Sequence, residues 1–398
     1  MLTFDAIATL GVATLVLIIG YYLQQHISFL RRYNLPTPVI GGLVIALLLL
    51  LGQQLFDYRV KFDNSARTPL MLAFFTSLGF AASLRLLKIG GRFVLIFLAL
   101  SIIAAILQNV VGATAAHLMG LPALFGVLCG SVTLTGGPAT GLAFAPQFEQ
   151  AGIAGAEAIA VAAAMCGIIM GGVFGGPIGT WLLTRLQRDG KAMSASSPTS
   201  VLDKLHHSLN SHSDTHLLSC FGLIIMAMWL GSWVSAGFIA LGLTLPAYIG
   251  AMIVAAILRN LNDYYRIAPV NPETVDTIGS VALAYFLALS LMTLELAKLS
   301  TVAIPILVLI SIQVVLIATI SAVFVFRYMG KDYEAAVTAT GFYGFMMGTT
   351  ANAMANMEAF VRRYSPAPRA YLVVPIVGAF FIDFANTFIV QLCLVWLR

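Results

Sequence analysis

Apolar runs long enough to cross a lipid bilayer, separated by short polar loops, occupy most of this 398-residue chain. About 20 consecutive apolar residues span the hydrocarbon core as a helix, and inside that core every backbone polar group must be bonded internally. Hydrophobic residues make up 60% of the sequence and charged residues 9%, against about 25% charged residues in soluble domains. The sequence therefore predicts an all-α integral membrane protein.

Hydropathy predicts ten full crossings and two shorter, interrupted segments. The predicted crossings are residues 6–26, 38–56, 69–84, 93–118, 154–183, 217–241, 244–258, 277–297, 301–326 and 370–396. The interrupted segments are residues 122–150 and 335–361.

Basic residues predict the orientation, because Lys and Arg are enriched in cytoplasmic loops. With the amino terminus outside, 16 of the 21 Lys and Arg face the cytoplasm, and the five that remain outside are Arg59, Lys61, Arg67, Lys298 and Arg398. We therefore expect both termini outside and the polar loop 184–216 inside. Because the basic residues lie in short loops that set the orientation in the membrane, the pI of about 9.0 is no sign of a nucleic-acid partner.

The loop 184–216 divides the chain near its midpoint and contains four histidines, His206, His207, His212 and His216. A metal site is one interpretation of these histidines. The loop has no cysteine or carboxylate at a recognised metal-ligand spacing, so the sequence favours a solvated cytoplasmic linker.

The segment 335–361 combines membrane-grade hydropathy with residues that a plain spanning helix avoids. Gly341, Gly344 and Gly348 are expected to loosen its middle, and the polar residues are Thr349, Thr350, Asn352 and Asn356. The segment is too short to cross twice and too broken to cross once, so we predict a re-entrant hairpin with a polar tip. Irregular backbone at membrane depth is tolerated where it lines a cavity, although a buried helix with small residues for packing is the alternative.

The segment 122–150 shows the same features. Ser131, Thr133 and Thr135 alternate, and residues 136–141 (GGPATG) are expected to form a tip that cannot be continuous helix. Exposed amides and carbonyls at such a tip can hold a carboxylate or a cation, according to which helix end points at it.

Single polar residues in other apolar runs are either functional or structural. Asp383 lies within the last run, where a carboxylate costs about 2.5 to 3.5 kcal/mol and is a functional candidate; Asn386 and Thr387 lie one turn away. Six glycines between residues 167 and 179 predict close helix packing. Interhelical hydrogen bonding is the favoured role of Gln108, Asn109 and Gln313.

The two halves of the chain resemble each other at an offset near 210 residues. Leu35-Pro36 matches Leu245-Pro246, and Met119-Gly120 matches Met329-Gly330. Each half, residues 1–183 and 217–398, has five predicted crossings and one hairpin. An odd number of crossings inverts the second copy, which predicts the inverted repeat of a secondary transporter.

The chain resembles the bacterial sodium/glutamate symporter family over essentially its whole length, and four motifs carry the resemblance. They are TPLMLAFFTSLGF from Thr68, SVTLTGG from Ser131, GTTANAMANM from Gly348 and LVVPIVGAFFIDFAN from Leu372. The resemblance implies sodium-coupled glutamate uptake across the bacterial inner membrane by a homodimer in contact with lipid, with an elevator-like motion. Pro138 and Phe342 stand where the family usually carries histidine, and Ala351 stands where proline is common.

We therefore expect a sodium-driven symporter for glutamate or a close relative, with Na⁺ as coupling ion and no enzymatic activity. The expected substrate-binding residues are Ser131, Thr133, Thr135, Gly136, Gly137, Thr140, Thr349, Thr350 and Asn352. The expected cation ligands are Asp383, Asn356 and Asn386, because alkali ions prefer oxygen ligands.

Alternatives remain open at this stage. One is a proton- or sodium-coupled transporter of another organic anion, such as a hydroxycarboxylate. A channel would show no coupling, and the charge-poor tips disfavour it. An intramembrane enzyme is disfavoured because the sequence offers no membrane aspartate pair, no apposed Ser and His, and no phosphate-binding loop.

Overall fold

The computed structural model describes residues 2–33, 35–56, 60–188, 214–240, 245–265, 270–294 and 302–397. Within these ranges all regular secondary structure is helical apart from two short parallel strands, β1 (Leu2–Thr3) and β2 (Val60–Lys61). The prediction of an all-α membrane protein is confirmed for this part of the chain. The loop histidines His206, His207 and His212 lie outside the described residues.

The helices follow the chain order. The first half contains α1 (Ala6–His26), α2 (Ser28–Arg32), α3 (Thr37–Phe56), α4 (Arg67–Ala81), α5 (Leu84–Leu118), α6 (Ala123–Val127), α7 (Gly137–Gln150) and α8 (Ala156–Arg188). The second half contains α9 (Asp214–Ala240), α10 (Tyr248–Tyr265), α11 (Pro272–Met292), α12 (Ala303–Thr319), α13 (Phe326–Tyr328), α14 (Tyr333–Met346), α15 (Thr350–Val361), α16 (Pro368–Ile376) and α17 (Ile382–Trp396). Three π-helical segments join neighbouring helices: Leu128–Val132, Ile320–Val325 and Val377–Phe381.

Seven of these helices are long and apolar enough to cross a membrane, counting only the described residues. They are Ala6–His26, Thr37–Leu55, Gly90–Leu118, Ala156–Arg188, Leu217–Ala240, Pro272–Met292 and Ala303–Tyr328. The predicted crossings at 69–84, 244–258 and 370–396 correspond to α4, α10 and the run from α16 to α17, which are shorter or more polar. The crossing expected to begin at residue 277 begins at Pro272, because Asn271 caps the helix by accepting a bond from the Glu273 amide at 3.0 Å.

The chain forms two compact units, and each combines segments from both halves of the sequence. Unit 1 comprises Met1–Arg85, Leu142–Phe144 and Ser213–Val302. Unit 2 comprises Leu86–Gly141, Ala145–His212 and Ala303–Arg398.

Unit 1 is held together by close contacts between helix backbones and between aromatic rings. A methyl group at Gly20 would lie 2.1 Å from the Thr37 carbonyl oxygen, so α1 and α3 cross with their backbones in contact. The ring of Phe75 on α4 stacks on that of Tyr248 on α10, with centroids 3.8 Å apart. Trp229 and Trp233 on α9 are 56% and 69% exposed, as expected for side chains that face lipid.

Gly41→Ala is expected to lower the melting temperature of the purified protein by several degrees. Its new methyl group would lie 1.9 Å from the Val16 carbonyl oxygen, and a backbone atom cannot rotate away. Overpacking of this kind costs about 1 to 3 kcal/mol. Gly52→Ala on the same helix is the matched control, because nothing lies within 4 Å of its methyl group. An equal fall in both variants would show that the crossing of α1 and α3 is not the cause.

Candidate substrate and ion site

The first interrupted segment breaks in unit 2 between the π-helical segment Leu128–Val132 and α7. Gly130 leaves helical geometry (φ −98°, ψ −131°), and the chain turns at Thr135 and Gly136 before Gly137, whose φ is +67°, begins α7. The interruption that the sequence predicts within residues 136–141 is present at Gly136 and does not extend over Pro138 to Gly141. These residues form the first turn of α7, because proline is accommodated where a helix has no N–H bond to lose.

The second interrupted segment breaks over three residues. Helix α14 ends at Met346, and Thr349 caps α15 with its hydroxyl, which accepts a bond from the Asn352 amide at 3.4 Å. The expectation that Gly341 and Gly344 loosen this segment is wrong, because both lie within the continuous helix α14. A methyl group at either glycine would strike the second arm, at 2.6 Å from Met357 Sδ for Gly341 and 2.5 Å from Asn356 Nδ2 for Gly344.

The two breaks lie beside each other. A methyl group at Gly137 would lie 3.5 Å from Thr349 Cγ2 and 3.8 Å from the Gly348 carbonyl oxygen. Helices α7 and α15 both begin at this place, so their first backbone N–H groups and the positive ends of their dipoles converge. The arrangement provides an environment that favours an anion.

Gln108 on α5 connects both breaks through its side chain. Its Oε1 accepts a bond from the Thr135 hydroxyl at 2.7 Å, and its Nε2 donates to the Met346 carbonyl at 2.9 Å. The side-chain amide of Gln313 on α12 donates in turn to the main-chain carbonyl of Gln108 at 2.7 Å. The favoured interpretation of these amides as interhelical hydrogen-bond partners is confirmed, and the sequence did not indicate that Gln108 would contact both tips.

Ser131 is the centre of a second polar cluster. Its backbone N–H donates to Asn109 Oδ1 at 3.0 Å, and its carbonyl accepts from Asn386 Nδ2 at 3.0 Å. All three side chains are buried. Among the described residues, Ser131 Oγ, Asn386 Oδ1 and Asn109 Nδ2 have no hydrogen-bond partner, although a buried polar atom left unpaired is costly.

The second arm of the 335–361 segment is fixed to α8 by two asparagines. Asn352 Nδ2 donates to the Ile168 carbonyl at 2.7 Å, and Asn356 Nδ2 donates to the Gly171 carbonyl at 2.9 Å. The predicted packing role of the glycines on α8 is confirmed at positions 167, 171, 175 and 179, where added methyl groups would strike the 335–361 segment. The prediction that Asn352 and Asn356 share one helical face is also confirmed.

The remaining predicted site residues lie nearby on the same elements. Thr133 donates its hydroxyl to the Leu128 carbonyl at 2.8 Å within its own arm. The Thr350 hydroxyl donates to the Gly378 carbonyl at 3.4 Å, in the π-helical turn before α17. Thr140 packs next to Gly136, where an added methyl group would lie 2.6 Å from its Cβ.

Asp383 is partly buried in the first turn of α17, one turn before Asn386. The Thr387 hydroxyl donates to the main-chain carbonyl of Asp383 at 2.8 Å. Asp383 and Asn386 share α17, where Asn386 contacts the Ser131 carbonyl, whereas Asn356 lies on α15 and contacts α8. The three expected cation ligands therefore come from two helices. Within the described residues, no group of three or more His, Cys, Asp or Glu could hold a metal ion.

Phe342, at a position where histidine is usual in the resembled family, does not reach the tip. Its ring is buried in unit 2 and packs edge-to-face on Phe97 of α5, with centroids 5.4 Å apart. Pro138 lies in the first turn of α7.

A solved structure of the sodium proton antiporter MjNhaP1 from Methanocaldococcus jannaschii aligns with 97% of this chain and 95% of its own. The sequence identity is 15% and the TM-score 0.44. These values are too low to transfer fold or function.

Sequence comparison gives closer relatives. The family model for the sodium/glutamate symporter matches residues 2–366. A sodium/glutamate symporter from Haemophilus influenzae is 37% identical over 388 residues, covering 96% of both chains. Sodium/glutamate symporters from Escherichia coli and Shigella flexneri are each 37% identical over 398 residues, covering 99% of this chain and 98% of theirs. The chain therefore belongs to the sodium/glutamate symporter family and is a transporter, not an enzyme, as the sequence predicts.

Proposed function

We propose that the chain takes up glutamate together with Na⁺ by alternating access. The observation that carries this proposal is the meeting of two broken helices in unit 2, where the N-terminal ends of α7 and α15 lie side by side. Broken helices that meet in this way are the usual substrate sites of secondary transporters. Membership of the family supplies the substrate and the coupling ion.

A substrate carboxylate is bound at the converging N-terminal ends. Backbone N–H groups there complement a negative charge without the desolvation cost of a buried cationic side chain. The proposed substrate-binding residues are Ser131, Thr133, Thr135, Gly136, Gly137, Thr140, Thr349, Thr350 and Asn352. Gln108 joins the set as a positioning residue, because its amide holds Thr135 and the end of α14 in one hydrogen-bond network.

Na⁺ is held by Asp383, Asn356 and Asn386 as a coupling ion and not as a resident cofactor. Both asparagines use their N–H groups on main-chain carbonyls, so their amide oxygens are available to a cation. Asn386 Oδ1 and Ser131 Oγ are buried oxygens without a partner in the described part of the chain. A cation that crosses 100 mV releases about 2.3 kcal/mol, which supports nearly two decades of accumulation.

The architecture of the proposed transporter is two inverted repeats, residues 1–183 and 217–398, joined by the cytoplasmic linker 184–216. The element order supports it, because each half contributes helices to both compact units. Hairpins 122–150 and 335–361 belong to the moving domain of an elevator-type homodimer in the bacterial inner membrane. Both termini are periplasmic.

Uptake of radiolabelled glutamate into proteoliposomes tests the function. We expect accumulation when an inward sodium gradient is imposed at fixed pH, and little when a pH gradient replaces it. Unlabelled aspartate, neutral amino acids and hydroxycarboxylates are added as competitors, because Pro138 and Phe342 depart from the family pattern. Uptake driven by protons alone, or competition by a hydroxycarboxylate stronger than by glutamate itself, would replace this proposal with its nearest alternative.

A further inference from the structure

Two cavities lie at the end of α8 in unit 2 and share one arginine. The first, of about 970 Å³, is lined by Arg185, Arg188 and Arg363 together with Trp181, Thr180 and Thr184. The second, of about 340 Å³, is lined by Arg185, Arg327 and Lys331 together with Val323 and Phe326. Arg185 therefore stands between two groups of cations that come from three different parts of the chain.

The cavities have a strong positive charge that the described residues do not neutralise. Among the described residues, no Asp or Glu lines either cavity. Two described acids close in sequence to Lys331 and Arg363 have other partners, since the Asp332 carboxylate pairs with the Arg369 guanidinium at 2.5 Å and that of Glu358 with the Arg362 guanidinium at 2.5 Å. Five exposed cations around two cavities therefore favour an anionic ligand with more than one charge.

The rim of the cavities is apolar and aromatic, which distinguishes a lipid from a soluble anion. Of the lining residues, Trp181 is 53% exposed and Val323 49%. Phe324 and Tyr328, which adjoin Val323 and Arg327 in the sequence, are also exposed. Exposed tryptophan and tyrosine beside arginine are typical of the level at which lipid headgroups meet the hydrocarbon. A bound phosphate would lie among the arginines while its acyl chains cover the neighbouring apolar side chains.

We propose that this surface binds an anionic phospholipid with two phosphates, one phosphate in each cavity, with Arg185 contacting both. Basic pockets between membrane helices are known sites for such headgroups. The site is separate from the hairpin tips, and its occupancy does not depend on which solute the protein carries.

Native mass spectrometry of the delipidated, full-length protein tests the proposal. Cardiolipin supplies two phosphates, phosphatidylglycerol one, and phosphatidylcholine is the zwitterionic control. We expect wild type to retain cardiolipin at least tenfold more strongly than phosphatidylcholine. Each arginine near anionic lipid contributes roughly a fivefold gain in affinity, so the variant Arg185→Gln/Arg327→Gln/Arg363→Gln is expected to bind cardiolipin about 100-fold more weakly.

The matched control removes the same charge from unit 1. Arg31→Gln/Arg32→Gln/Arg85→Gln changes three exposed arginines and should leave cardiolipin affinity within about threefold. The single variant Arg185→Gln should weaken cardiolipin more than phosphatidylglycerol, and it remains informative if the triple variant fails to fold. Equal binding of all three lipids to wild type, or equal losses in both triple variants, would overturn the proposal. Displacement of cardiolipin by equimolar pyrophosphate would instead indicate a soluble anion.

Discussion

Asp383→Asn is expected to weaken the sodium activation of glutamate uptake strongly. The carboxylate would be replaced by an amide of the same shape, which leaves only neutral oxygens to balance the charge of the cation. We expect the sodium concentration for half-maximal uptake to rise by about 100-fold, the scale of the roughly 2.5 to 3.5 kcal/mol that an uncompensated charge costs within a membrane. The measurement is the initial rate of uptake in proteoliposomes as a function of sodium concentration.

The same substitution should not destabilise the protein, since it removes a charge from an apolar segment. The melting temperature of Asp383→Asn is therefore expected to equal or exceed that of wild type. Asp276→Asn is the matched control, because Asp276 is exposed on α11 in unit 1. Wild-type sodium dependence in Asp383→Asn would remove Asp383 from the set of cation ligands.

Gly175→Ala is expected to reduce uptake by at least about 100-fold, through displacement of Asn356. The new methyl group would lie 2.2 Å from Asn356 Nδ2 and 2.6 Å from its Cγ. The amide has little room to move, because Gly344 also packs against it: a methyl group built at Gly344 would lie only 2.5 Å from Asn356 Nδ2. Asn356 must therefore give up its bond to the Gly171 carbonyl, and overpacking of this type adds about 1 to 3 kcal/mol of destabilisation.

Gly176→Ala is the control for Gly175→Ala. The two positions are adjacent on α8, and nothing lies within 4 Å of a methyl group at Gly176. Both changes gain the same helix propensity, roughly 1 kcal/mol, so only the contact with Asn356 differs. Uptake and melting temperature are measured on both. Normal uptake by Gly175→Ala would show that the position of Asn356 does not matter for transport.

Hydropathy predicted most of the fold because lipid leaves the backbone few choices. Seven predicted crossings coincide with long apolar helices of the described residues. Glycines 167, 171, 175 and 179 were recognised as a packing surface from their spacing, and Asn352 and Asn356 as one helical face from theirs. These features depend on local periodicity, which a single sequence contains.

The positions of the breaks could not be predicted as well, since they depend on tertiary contacts. Gly341 and Gly344 have the composition of a hinge, yet they lie in a continuous helix because Met357 and Asn356 pack against them. The role of Gln108 was also hidden. Its partners, Thr135 and the Met346 carbonyl, are far apart in the sequence and only the fold brings them together.

The wide turn at Val377–Phe381 sets the direction in which the last helix faces. An α-helix rotates by about 100° per residue, and a π-helical turn accommodates one residue more than an α-helical turn. A chain one residue shorter there would keep the same hydropathy, yet its last helix would be rotated. Asn386 would then face away from Ser131, and Asp383 would rotate together with Asn386. The number of residues before Asp383 therefore matters as much to the proposed site as the carboxylate itself. Related chains should be aligned in this region so that their π-helical and α-helical turns match.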